Sequence, residues 1–428
     1  MSDHSAREEL GQPLEADDIR YDVAIIGGGY TGLSAALSLS KEGNTSVAVL
    51  ESGSIGWGAS GRNGGFCCLP STKMSIKQMS RKYGLDATKD FWAKQLDGVE
   101  YTSSLEASEG INFDRMGDGN LEVAHRPEAY AGLREYGEQI KNLFGIQTRL
   151  IPAEEFAETG FKSREQYGAL HMKAGFALNP LKLALGLAKA AKKYGAVLYP
   201  NSHVLEWRKD GPDHILRTAK GSIRAGKVLI ATNGFYQDGL QRNMNHRILP
   251  VISNIVTTRP LTDDELAAHN WQVNEPICNT RKLLFYFRKL PDNRLMLGAR
   301  GDWTGRPDDG NRMRHWMTQR IYEVFPEWYN VEITHYWRGL VCMSMKLSPS
   351  VGFDRDDPSV FYAYGYHANG VNTAPWTGHQ MAQLMLGKDK IENIFPDVMR
   401  GHSPRFPLAG LRIWYLRAAA LWYKWTDD

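Results

Sequence analysis

A glycine triplet in a defined setting constrains this chain more than any other feature. Tyr21–Ile26 (YDVAII) is a short apolar run of strand type, and Gly27-x-Gly29-x-x-Gly32 follows it directly. Apolar residues at helical spacing occupy Leu33–Leu39, Asn44 punctuates, and Val47–Leu50 is the next buried strand. The order predicts a βαβ unit with parallel strands and a right-handed crossover. In such a unit Gly27 permits the tight turn, and Gly29 lets the backbone approach a diphosphate. Gly32 lets helix and strand pack closely, so that the free N–H groups of the helix N-terminus face the phosphates. Glu51 stands 19 residues beyond Gly32, at the end of the second strand, where its carboxylate can accept from both ribose hydroxyls. It also disfavours a 2′-phosphate, since two negative charges would meet there. A glycine triplet alone is equally at home in a structural turn. The flanking elements and Glu51 tip the reading to dinucleotide binding.

With 428 residues, 42% of them hydrophobic and 23% charged, the chain suits a globular protein of two or three domains. Residues 54–70 (SIGWGASGRNGGFCCLP) read as an ordered loop, and Pro180–Tyr194 as an amphipathic helix with proline at its start. Val197–Arg208 and His214–Ile230 are β-rich. Val251–Thr257, Leu283–Phe287 and Leu295–Ala299 suggest an antiparallel sheet that is wet on one face. Val360–Tyr364 reads as a strand, Gly365–Gly370 as a turn and Val371–Leu386 as a helix. The expected fold class is therefore α/β: a Rossmann-like parallel sheet interleaved with an α+β unit built on an antiparallel sheet.

A net charge of +3 without clustered lysine and arginine argues against a nucleic-acid partner. Cys67, Cys68, Cys278 and Cys342 lack both a disulfide framework and metal-ligand spacing, so four reduced thiols and no metal are expected. Residues 1–20 form a polar tail without signal-peptide character, and no run of eighteen apolar residues occurs. The cytoplasm is the expected location, with the inner face of the membrane as a second reading.

GxGxxG with Glu51, GWGASGRNGGF (Gly56–Phe66), ATNG (Ala231–Gly234) and GYHANGV (Gly365–Val371) together resemble the D-amino-acid oxidase superfamily of FAD enzymes. Within it the γ-glutamylputrescine oxidoreductase and L-pipecolate oxidase-like group is most alike. The likeness covers about residues 20 to 400, and GASGRNGG is its most specific part. It implies FAD as cofactor, Val204 against the adenine, and Ala231, Thr232 and Gly234 along the diphosphate channel. Ser60, Arg62, Asn63 and Gly64 are implied beside the flavin. Gly365, Asn369, Gly370 and Val371 are implied to start a helix aimed at the flavin pyrimidine edge, where oriented N–H groups favour negative charge. Taken alone, Gly365–Val371 would pass as a flexible turn.

The implied reaction is oxidation of the C–N bond of a secondary or N-substituted amine or imino acid, by hydride transfer to flavin N5 and hydrolysis of the imine. A γ-glutamylated polyamine and a cyclic imino acid such as L-pipecolate are the expected substrates. Rival readings are a nicotinamide-linked dehydrogenase and a flavoprotein whose FAD is not catalytic.

Two departures from the family pattern stand out. Glycine oxidase-like members hold the substrate carboxylate with an arginine at the position of Ala368, and sarcosine oxidase-like members with a lysine at that of Asn372. Lys346, Arg338, Arg62 and His367 are the candidate replacements. Lys346 is the best placed of them, against the commoner reading as a solvated lysine; Arg338 also reads as a surface partner of Trp337, and His367 equally as a flavin neighbour or a packing residue. The lysine tied to O2 reduction in sarcosine oxidase aligns with Met296, which suggests a quinone or another carrier rather than O2 as electron acceptor. Cys342 lies near the cysteine that holds flavin covalently in sarcosine oxidase relatives; the spacing to Pro349 is off by one, and non-covalent FAD is expected.

Leu408–Trp425 places Leu411, Trp414, Tyr415, Ala418, Leu421, Trp422 and Trp425 on one helical face, flanked by Arg412, Arg417 and Lys424. A packed helix is favoured; a helix lying in a membrane interface (peripheral contact through 408–425) is the alternative. The expected organisation is a tail (1–20), an FAD-binding unit (21–95, 172–247, 340–400), a substrate unit (96–171, 248–339) and this terminal helix (401–428).

Overall fold

The computed structural model describes residues 10–302, 304–412 and 414, and two eight-stranded sheets organise them. In the first, Ile19–Ile26 lies between Val47–Leu50 and Ser222–Ile230, parallel to both. Val197–Tyr199 extends it in parallel beyond Val47–Leu50, and Val360–Tyr364 beyond Ser222–Ile230. Ser350–Phe353 closes the far edge antiparallel, and the hairpin Glu206–Asp210 and Asp213–Arg217 pairs back onto Ser222–Ile230.

Alternation along the first strand explains its central place. Val23 and Ile25 join a core with Leu33, Leu37, Leu183 and Met381, while Ala24 and Ile26 join another with Val204, Leu216 and Ile223. Both faces are covered, which is why the run is apolar throughout. Helices Tyr30–Gly43, Pro180–Lys193 and Gly370–Met385 supply the first of these cores. The expected Pro180 helix is present, opened by Asn179, whose side chain accepts from the Lys182 N–H.

The second sheet runs Ile333–Met343, Leu249–Pro260, Arg294–Arg300, Phe285–Lys289, Ile277–Asn279, Asn120–Val123, Ala169–Met172, Thr148–Ile151. It is antiparallel except where Ile277–Asn279 runs parallel to Asn120–Val123. Its centre is not wet on either face, contrary to expectation: Leu295–Ala299 are all buried. One face carries Leu295, Leu297, Phe285 and Phe287 against Met313, Met317 and Ile321 of helix Pro307–Val324. The other meets the glycine-rich loop, with Tyr286 edge-on to Phe66 at 5.4 Å. Buried Arg288 ties this sheet to the glycine-rich loop, donating to the carbonyls of Gly64 at 2.9 Å and Leu178 at 2.7 Å.

The loop expected over 54–70 is ordered, and it contains helix Ala59–Arg62 and strand Phe66–Cys67 paired with Phe176–Ala177. The expected boundary at 95/96 falls inside the continuous helix Leu85–Glu109, and that at 339/340 inside strand Ile333–Met343. Gly98 explains the first: it lets the long helix lie against Asn372 of Gly370–Met385, where a Cβ would sit 2.9 Å from the Asn372 carbonyl oxygen. No helix among the described residues is long and apolar enough to cross a membrane. Most of the expected terminal helix, from Tyr415 onward, lies outside the described residues. At its start Arg412 is held by the chain itself, donating to Asp238 at 2.7 Å and to the Ile248 carbonyl at 2.8 Å.

Candidate active site

The glycine turn, the first half of the small-residue loop and the two later motifs converge on one cleft of about 410 Å³. Gly27, Gly29, Glu51, Ser60, Asn63, Val204, Ala231, Thr232, Gly370, Val371 and His367 line it. It opens where Ile19–Ile26 and Val47–Leu50 end, at the point where neighbouring strands diverge, which is where open α/β sheets bind ligands. Gly27 holds φ +113, and a Cβ there would stand 2.7 Å from the Ala231 carbonyl oxygen. Gly29 precedes helix Tyr30–Gly43 and offers no side-chain cap; instead Ser60 Oγ accepts from the Tyr30 N–H at 2.9 Å. Glu51 braces the turn from below. Its Oε2 accepts from the Gly28 N–H at 2.7 Å and its Oε1 from the Gly53 N–H at 2.9 Å and the Ser52 hydroxyl at 3.2 Å, so that Oε2 keeps a lone pair for a sugar hydroxyl.

Other expected residues support the cleft without lining it. Gly32 packs under the turn, 2.0 Å from Cβ to the Gly27 carbonyl oxygen if a Cβ were added. Gly365 holds φ +82 and donates its N–H to Asn233 Oδ1 at 2.9 Å, which joins the third and fourth motifs; Gly234 is buried beside Cys342. Asn63, which does line the cleft, also braces its own loop, donating to the carbonyls of Ala59 and Ser60 at 3.0 Å and accepting from the Gly65 N–H at 2.8 Å. Gly64 and Asn369 line an adjoining cavity instead, and the Asn369 amide donates to the Pro70 carbonyl at 2.7 Å. Trp57 and Phe235, whose rings lie 5.6 Å apart, line the cleft although neither was singled out from the sequence. Trp57 stands inside the GWGASG motif and could have been found there.

The chemistry of the cleft suits FAD. Oriented N–H groups face a turn too tight for a side chain, a carboxylate stands at the end of the second strand, and the buried Thr232 Oγ1 has no hydrogen-bond partner among the described residues. Cys342 also lines the cleft, but burial pushes its thiol up to about 12, so it stays protonated and unreactive.

Three of the four candidate anchors are removed by the structure. The buried Lys346 lines neither space; its ammonium donates to the carbonyls of Arg400 at 2.6 Å and Gly401 at 3.2 Å. Arg338 is paired with the buried Asp302 and donates to the Arg306 carbonyl. His367 does line the cleft, with Nε2 3.2 Å from Ser344 Oγ. Burial, with the cations of Lys73 and Arg300 nearby, holds its imidazole down at about 3, so it is neutral and cannot anchor an anion. Arg62 lies over the Trp57 ring, 4.1 Å from its centroid, and lines the adjoining cavity.

That cavity, about 260 Å³, shares Ala59, Asn63, Leu340, Val341, Ala368 and Val371 with the cleft, so the two spaces have a common wall. Ala368 sits there with φ +79, a left-handed conformation stored at the junction. Asn372, the other family anchor position, is fully buried and faces helix Leu85–Glu109 through the Gln95 carbonyl. Lys73, Glu122 and Arg300 line the cavity. They belong to a loop and two distant strands, and no local pattern in the sequence marks them.

Burial raises the Glu122 carboxyl from 4.5 to about 7. Folding therefore favours its proton, and stability falls as pH rises from about 4.5 to 7; above that the penalty is complete. Glu122→Gln is expected to stabilise the protein at pH 8 by up to about 3 kcal/mol and to change little near pH 4.5, as read from denaturant melts. An equal gain at both values would contradict the burial of this group.

Comparison with known proteins agrees with this geometry. A family model described as "FAD dependent oxidoreductase" matches residues 22–384. The γ-glutamylputrescine oxidoreductase of Escherichia coli (strain K12) is 31% identical over 418 residues, covering 96% of this chain and 94% of that protein. A probable oxidoreductase OrdL of Haemophilus influenzae is 30% identical over 380 residues, 87% of this chain and 85% of that one. In three dimensions the fold matches the crystal structure of glycine oxidase from Geobacillus kaustophilus with a TM-score of 0.72 at 23% identity, over 88% of this chain and 98% of that one.

Proposed function

Because the chain belongs to the FAD-dependent oxidoreductase (DAO) family, we propose that it oxidises the C–N bond of a secondary or N-substituted amine or imino acid. A γ-glutamylated polyamine, or a cyclic imino acid such as L-pipecolate, is the substrate class this reading favours; the likeness to a γ-glutamylputrescine oxidoreductase supports the former. The observation that carries the reading is the common wall between the nucleotide cleft and a second, charged cavity. FAD, bound in the cleft, supplies the acceptor for the hydride that leaves the carbon beside the substrate nitrogen.

The residues of this chain bind and position. Gly27, Gly29 and the Tyr30 end of the helix present backbone N–H groups to the diphosphate, Glu51 takes the ribose, and Val204 lies along the base. Phe66, Leu69, Ile255 and Leu284 line the second cavity and keep water from the reacting carbon, while the common wall sets its approach. The family match sets aside a nicotinamide-linked dehydrogenase.

The test is anaerobic mixing of the FAD-loaded protein with γ-glutamylputrescine, L-pipecolate, L-proline, sarcosine and iminodiacetate. Bleaching of the flavin band at about 450 nm by at least one is expected. No bleaching by any of them would favour an FAD without catalytic use. The electron acceptor proposed is a carrier, such as a quinone, because a methionine, Met296, occupies the place of the oxygen-linked lysine. On admitting air, recolouring over minutes is expected; recolouring within seconds would overturn this part alone.

A further inference from the structure

The wall shared by the cleft and the second cavity is strained. His367 and Ala368 stand in succession at φ +50 and +79, a conformation that costs a non-glycine residue energy and persists only where its surroundings hold it. Helix Gly370–Met385 begins directly after them; Gly370 lines the cleft, Asn369 the cavity and Val371 both. A polar cluster behind the wall, lining neither space, holds this stretch. Its members Ser71, Gln95 and Thr373 are fully buried. The Ser71 hydroxyl donates to the Asn369 carbonyl and meets the Thr373 hydroxyl, whose oxygen lies 3.0 Å from Gln95 Oε1. Gln95 Oε1 also accepts from the Ser71 N–H at 2.9 Å. Three distant segments thus meet at one oxygen: helix Leu85–Glu109, the first turn of helix Gly370–Met385, and Ser71, whose neighbours Pro70 and Thr72 line the second cavity.

The Gln95 amide nitrogen has no hydrogen-bond partner among the described residues. An unpaired buried donor is costly, and an apolar side chain of similar size would avoid that cost. What the glutamine contributes is its oxygen. We propose that Gln95, Ser71 and Thr373 are positioning residues for the oxidation: they fix the start of helix Gly370–Met385 against the loop of the second cavity, and so set how the substrate carbon approaches the flavin. This rests on the amine-oxidation reading and deepens it. None of the three touches substrate or cofactor. Without the clamp His367 and Ala368 relax toward ordinary dihedrals, and the N–H groups of Gly370 and Val371 retreat from the cleft. Their partial positive charge, which favours the reduced flavin, retreats with them.

The experiment compares Gln95→Met and Thr373→Val, which remove an oxygen at nearly constant volume, with Thr373→Ser, which keeps the hydroxyl. FAD content and far-UV circular dichroism report folding. Two measurements follow on the FAD-loaded proteins: the midpoint potential of the flavin, and its anaerobic reduction by an amine that bleaches the parent. Both oxygen-deleted variants are expected to keep FAD and to show a more negative potential. Their limiting rate of flavin reduction should fall by about 30-fold in Gln95→Met and about 10-fold in Thr373→Val, with substrate affinity kept within about 3-fold. Thr373→Ser should restore both potential and rate. Parental potentials and rates in both folded variants would overturn the proposal. So would rate and affinity falling together, loss of FAD from both variants, or a Thr373→Ser protein as impaired as Thr373→Val. A parent flavin that no amine bleaches would sink the functional reading instead. The potential then decides alone: lowered by Thr373→Val and restored by Thr373→Ser it supports the clamp, and unchanged it removes it.

Discussion

Gly29→Val is expected to give a folded protein that retains no FAD. Gly29 has φ −95, so a side chain meets no backbone strain there. Its Cβ would stand 2.8 Å from Ser60 Oγ, the atom that caps the Tyr30 N–H and helps shape the diphosphate cradle. The branched methyls of valine then project into the space that the phosphates require. Within the protein only the Ser60 side chain must shift, and the strand, helix and core residues beneath keep their contacts. An affinity loss of at least about 1,000-fold, or roughly 4 kcal/mol, is expected. The readout is the absence of the yellow colour together with an unchanged far-UV circular dichroism spectrum. Retained colour would contradict the placement of the diphosphate. Gly32→Val makes the useful contrast: its Cβ would fall 2.0 Å from the Gly27 carbonyl oxygen, so folding itself should fail.

The second large effect is structural. Helices Tyr30–Gly43 and Gly370–Met385 both begin at the cleft, and they cross where Gly378 meets Thr31. A Cβ on Gly378 would lie 2.2 Å from the Thr31 carbonyl oxygen and 3.0 Å from the Ala35 nitrogen. Both are backbone atoms of a helix and cannot swing aside. Gly378→Leu is expected to cost about 3 kcal/mol or more in denaturant melts and to weaken FAD retention, because the two helix starts are forced apart. Gly132→Ala, in helix Pro127–Phe144 with no atom within 4 Å of the new Cβ, should instead be neutral or stabilise by about 1 kcal/mol. A Gly378→Leu protein as stable as its parent would mean that the helices do not cross as described.

These two glycines mark what was legible in the sequence and what was not. Gly29 sits in a local pattern, strand then turn then helix, whose meaning is carried within about thirty residues. The same holds for Glu51, and for the strand Val360–Tyr364, which is present with the expected limits. Gly378 has no such setting: a glycine inside a helix reads as a mild defect until the partner helix, more than three hundred residues earlier, is seen against it. The charged residues of the second cavity follow the same logic. Lys73, Glu122 and Arg300 lie far apart in the chain and meet only because the antiparallel sheet folds over the glycine-rich loop. Lys346 was the opposite error. It follows Cys342 closely and looked near the site, but its ammonium is taken by the carbonyls of Arg400 and Gly401, more than fifty residues later. Sequence distance to a motif is a weak guide wherever a later segment of the chain can claim the side chain.

The account stands on a flavin nucleotide lying along Gly27–Gly29, Glu51 and Val204, and the visible spectrum of the purified protein tests that most directly. A band at about 450 nm, released as free FAD in a ratio of about one per chain when the protein is denatured, is the expected result. Colourless protein that stays colourless after incubation with excess FAD would contradict it.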